Sequence, residues 1–154
     1  MSAACTDRGG QKIVEPLIQA DDRRVPPTIL IADDSPTIRG FVRLVLRGVT
    51  TPFTLVEAED GAQAIAKARE LFPALALIDL HMPGTDGLAA LRSLRAESDP
   101  RLRDLPIFLL TAERGEELRA ECLSAGATGF IDKPIKAPPL LEVVRRHLAT
   151  EGSP

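Results

Sequence analysis

The chain has no tryptophan and no tyrosine, and its only aromatic residues are five phenylalanines in 154 positions. Its core must therefore be aliphatic, built from Leu, Ile, Val and Ala. Cysteine is nearly absent too: Cys5 and Cys122 have no metal-ligand spacing and no disulfide framework, which points to a reducing compartment. No charge of one sign dominates. A net charge of −3 shows no basic face, so nucleic acid is not an expected partner. No apolar run is long enough to span a bilayer. Asp7, Arg8 and Lys12 stand where a signal peptide would need its apolar stretch. The expectation is a cytoplasmic protein without membrane insertion.

What the chain does have is the balance of a globular domain, 44% apolar and 27% charged, at a length suited to one unit with a real core. Residues 1–27 differ from the rest. They are polar, with Gly9-Gly10 early and Pro26-Pro27 at the end, and read as a flexible leader. The domain is expected over residues 28–149, with a short tail over 150–154.

From Thr28 onward, apolar runs alternate with helical periodicity. Thr28 to Ala32 reads as a buried strand running into Asp33-Asp34. Ser35-Pro36 is a helix start, followed by Ile38, Phe41, Val42 and Val45 at helical spacing. Phe53 to Val56, Leu75 to Ile78, Ile107 to Leu110 and Gly129 to Asp132 supply four more strands. Helices are expected after Asp60, near Asp86, over Glu116 to Ala125 with Gly126 as stop, and from Pro138-Pro139 onward. Five non-alternating strands separated by five helices imply a doubly wound parallel α/β sheet covered on both faces.

In such folds ligands sit outside the carboxyl ends of the strands. Those ends carry Asp33 and Asp34, Asp79, Thr111 and Lys133. Three carboxylates drawn together need either a raised pKa or a cation among them. An all-oxygen site without Cys suits a hard cation, and Mg²⁺ fits best because it binds few carboxylates and bridges to phosphate. Carboxylates are nucleophiles toward phosphorus, and phosphoryl transfer needs positioning and charge neutralisation above all. Asp33-Asp34 alone would be a solvated cap, and Lys133-Pro134 alone an ordinary loop; the ordered set is what carries weight.

The pieces Ile31-Ala32-Asp33-Asp34-Ser35, Asp79 through Gly87, Leu110-Thr111-Ala112 and Phe130-Ile131-Asp132-Lys133-Pro134 resemble the receiver domain of two-component response regulators, in the family order. The resemblance implies a flavodoxin-like strand order 2-1-3-4-5. It implies that Asp79 accepts a phosphoryl group from the phosphohistidine of a sensor histidine kinase or a histidine phosphotransfer protein. Asp34 would bind Mg²⁺ directly, Asp33 would help hold it, and the His81 backbone carbonyl would be a further ligand. Thr111 and Lys133 would contact the phosphoryl group, and the Lys133-Pro134 bond would be cis. Phe130 would be the switch aromatic, a Phe here and not a Tyr. The downstream partner would be a protein, docked on a face made by Glu116 to Ala125, Phe130 and Leu140 to Leu148. With no output domain expected after Leu148, the chain reads as a single-domain regulator.

Two other readings stand beside this one, an aspartyl-phosphate phosphatase and a degenerate scaffold. His81 stands where such phosphatases commonly carry a second Asp, and the retained site residues speak against a scaffold. As for His81 itself, a lone histidine in a polar loop has no partner by spacing.

Overall fold

The computed structural model describes residues 25–152. The leader expected over residues 1–27 lies outside them save for its last three residues, and residues 153–154 also lie outside. In chain order the elements are β1 (Thr28–Ala32), α1 (Pro36–Leu46), β2 (Thr54–Ala58), α2 (Gly61–Leu71), β3 (Leu75–Asp79), α3 (Gly87–Arg95), α4 (Pro100–Arg103), β4 (Ile107–Thr111), α5 (Glu116–Ser124), β5 (Gly129–Asp132) and α6 (Ala137–Gly152). All strand pairs are parallel, and the order across the sheet is β2-β1-β3-β4-β5. The doubly wound architecture expected from the sequence is the one observed.

Helix starts follow their local chemistry. The Ser35 hydroxyl accepts from the Ile38 N–H at 3.3 Å, with Pro36 at the first helical position. Asp60 accepts from Gln63 N–H and Asp86 from Ala89 N–H, each at 2.8 Å. Each cap satisfies an otherwise orphaned donor and contributes about 1 kcal/mol.

Both sheet faces are covered, which explains strands without polar alternation. Ile29, Ile31, Leu75, Leu77, Leu110 and Ile131 pack with Val42 and Leu46 of α1 and Leu140, Val144 and Leu148 of α6. Their neighbours Leu30, Ala32, Ala76, Ile78, Ile107 and Leu109 pack with residues of α2, α3, α4 and α5.

One expectation needs correction. There are six helices, not five. The extra one, α4, is a single turn set off by Asp99, whose carboxylate accepts from Arg101 N–H at 2.9 Å, and by Pro100. Four residues are too few to show periodicity. The last helix runs to Gly152.

The loop between β3 and α3 is pinned at both ends. Gly87 N–H donates to Leu80 O at 3.0 Å, and Gly61 N–H to Thr85 O at 3.2 Å. A Cβ at residue 87 would stand 2.3 Å from the Asp79 carbonyl oxygen, so the start of α3 lies against the backbone of β3's last residue. Gly87→Ala is expected to destabilise the fold by about 1–3 kcal/mol through overpacking against main chain. Urea denaturation should show a lower midpoint with an unchanged slope.

Candidate functional site

Strand register builds the site. Ala32 pairs with Ile78, so the next residues, Asp33 and Asp79, lie side by side. Asp79 pairs with Leu110, one before Thr111, and Thr111 pairs with Asp132, one before Lys133. Lys133 N–H donates to Thr111 O at 2.9 Å, and the Lys133-Pro134 bond is cis.

Asp33, Asp79 and Thr111 are 0%, 4% and 2% exposed, while Asp34 is exposed. The Lys133 ammonium reaches between the two buried acids, 3.1 Å from Asp33 Oδ2 and 3.0 Å from Asp79 Oδ1. Asp33 Oδ1 accepts from Ser35 N–H at 2.9 Å, and Asp79 Oδ1 from His81 N–H at 3.3 Å. Thr111 Oγ1 accepts from Glu113 N–H at 2.9 Å, which leaves its own proton to donate.

Burial raises the Asp79 carboxyl above its ordinary value and the Asp33 charge adds to this, against the opposing pull of Lys133 and His81 N–H. For Lys133, burial acts to lower the ammonium. Its close contacts with the Asp79 and Asp33 carboxylates outweigh that and hold it above its ordinary value. The outcome is an ionised lysine beside a carboxylate whose charge is costly to keep.

Carboxylate oxygens of Asp33, Asp34 and Asp79 all lie within 4.8 Å of one another. Asp33 Oδ2 is enclosed and receives no hydrogen bond, its contact with Lys133 being an ion pair only. Hard oxygen donors with spare acceptor capacity fit a divalent cation such as Mg²⁺.

The family described as the response regulator receiver domain matches residues 29–145. This chain belongs to that family. It is a receiver domain of the two-component signalling type. The DNA-binding response regulator MtrA of Mycolicibacterium smegmatis is 38% identical over 120 residues, 78% of this chain and 50% of that one. The receiver domain thus spans about half the length of the curated relatives it matches. Among solved structures, the chemotaxis response regulator CheY4 of Vibrio cholerae superposes with a TM-score of 0.71 at 30% identity, covering 80% of this chain and 99% of that one. The receiver domain of sensor histidine kinase PA1611 from Pseudomonas aeruginosa gives 0.71 at 29% identity, covering 81% and 99%. That structure has a magnesium ion coordinated in its active-site cleft.

Other sequence-selected residues fall around this centre. His81 is not partnerless: its Nε2 lies 2.6 Å from Glu113 Oε2, an exposed pair linking the loops after β3 and β4. The pair escapes notice in the sequence because 32 positions separate its members. Phe130 is half-buried on β5, with the Arg119 guanidinium 4.7 Å from its ring centroid. Arg119 also donates to Glu113 O at 3.0 Å and Asp132 Oδ1 at 2.6 Å. No helix among the described residues is long and apolar enough to cross a membrane.

Asp79→Asn should raise Tm at neutral pH in EDTA, since it removes a buried charge; each kcal/mol relieved corresponds to about 2–4 °C. A carboxyl raised in the folded state costs stability in full above that raised value, and the cost shrinks as pH falls through it and vanishes below the ordinary carboxylate value. The gain over wild type should therefore shrink on acidification, and calorimetry at stepped pH checks it.

Proposed function

We propose that Asp79 accepts a phosphoryl group from a phosphohistidine in a Mg²⁺-dependent reaction and that the new charge switches a protein-docking face. The observation that carries this reading is the meeting of Asp33, Asp34 and Asp79 oxygens with the Lys133 ammonium at one sheet edge. In the transfer, an Asp79 carboxylate oxygen forms a bond to phosphorus. The bond from phosphorus to the donor imidazole nitrogen breaks, and its electron pair stays with the imidazole. Lys133 then shifts its partner from carboxylate to phosphoryl oxygen, and the free Thr111 proton supplies a second contact.

Asp34 and Asp79 would hold Mg²⁺, with Asp33 and the His81 carbonyl in support. When bound, the ion neutralises the carboxylates and draws charge from the phosphoryl oxygens. The donor is a sensor histidine kinase or a histidine phosphotransfer protein. The responding face is formed by α5, β5 and α6, where Arg119 already links Phe130 and Asp132 to the loop that follows Thr111.

The test is incubation with acetyl phosphate and Mg²⁺ followed by intact-mass measurement. Wild type should gain one phosphoryl group, and EDTA or Asp79→Asn should abolish the gain. Lys133→Met should slow it by roughly 10²-fold, the scale for losing one charge-stabilising donor. An adduct that survives Asp79→Asn at wild-type level would sink the assignment. No adduct at all would leave a scaffold role, and steady turnover of unrelated phosphate esters would mark a phosphatase.

A further inference from the structure

Asp34 poses a problem of aim. It is exposed, so no packing directs its carboxylate. β1 ends at Ala32, and ladder bonding ends with it. Asp33 N–H still donates to Ala58 O at 3.1 Å, and the Asp33 carboxylate is tied to Ser35 N–H at 2.9 Å. The Asp33 carbonyl, which shares a peptide plane with the Asp34 nitrogen, has passed beyond the last strand pair. Arg39 bonds it: Nη1 donates to Asp33 O at 2.7 Å.

Arg39 is itself held. Its side chain is 13% exposed, and its Nε donates to Glu57 Oε1 at 3.0 Å. Glu57 lies on β2, in register with Ile31 of β1. The guanidinium therefore spans α1, the end of β1 and β2 through two directed bonds, which its rigid fork permits and a lysine cannot copy. Arg43, one turn further along α1, bonds the same Glu57 at 2.8 Å from a half-exposed position.

We infer that Arg39, braced by Glu57, is a positioning residue for the acidic pair: it fixes the Asp33-Asp34 peptide plane and thereby aims Asp34 at the cation. This rests on the Mg²⁺ reading above. The sign of the effect makes it testable. Arg39 is a cation beside a cation site, so its removal would tighten Mg²⁺ binding if charge alone mattered. A positioning role requires the opposite.

Amide NMR titration with Mg²⁺ gives the Kd and reports folding in the same spectra. Arg39→Ala is expected to weaken Mg²⁺ by roughly tenfold, the low end for loss of a residue that orients a ligand, while amide dispersion stays that of wild type. Arg39→Lys should recover only part of this, and Arg43→Ala should match wild type. The double variant Arg39→Ala/Glu57→Ala should be no weaker than Arg39→Ala, since Glu57 acts through Arg39. Unchanged or tighter binding by Arg39→Ala, full recovery by Arg39→Lys, or equal weakening by Arg43→Ala would overturn the inference while leaving the metal site standing. If wild type shows no Mg²⁺ binding that Asp34→Asn abolishes, the metal assignment and the inference fall together.

Discussion

Two carboxylates, Asp33 and Asp79, are taken out of water next to each other, and the Lys133 ammonium is placed between them. Removing an ion from water is expensive, and a buried ion pair offsets that cost only with good geometry. The geometry here comes from three different strands ending at one level. Hence the parallel sheet, the matched registers, and the aliphatic layers on both faces that make the sheet rigid. The cluster is not there for stability. It holds an unfavourable charge balance, three carboxylates drawn together around one ammonium.

The surrounding loops serve the same constraint by main-chain contacts. Gly87 and Gly61 let α3 and α2 begin against carbonyls of the β3–α3 segment. Ser35 N–H and His81 N–H each donate to an acidic side chain two residues earlier. These are short-range bonds that any chain with Asp at such positions can form, and they fix both carboxylates before any ligand arrives. Around the rim lie contacts between loops: His81 with Glu113, and Arg119 with Glu113, Phe130 and Asp132. They tie the loops after β3 and β4 to β5.

Much of this was legible in the sequence. Runs such as Leu75-Ala76-Leu77-Ile78 announce strands buried on both faces, and Ser35-Pro36, Asp60, Asp86 and Gly126 mark helix ends by their capping chemistry. The convergence of Asp33, Asp34, Asp79, Thr111 and Lys133 follows once the strands are known to be parallel. The illegible parts have a common cause. The contacts of Arg39, Arg119 and Glu113 carry no sequence signal, since they depend on what long side chains reach in three dimensions. The α4 turn was hidden by its brevity.

The parallel topology has a consequence for how the protein assembles. Asp33 and Lys133 touch across a separation of 100 positions, the difference of their residue numbers, and Asp79 must arrive between them. No hairpin or single βαβ unit contains more than a fraction of the site. Loop closure on this scale is slow and cooperative, so a nascent or partly open chain presents scattered acids and no assembled cluster. Any binding that needs all of these groups at once is then a property of the completed fold.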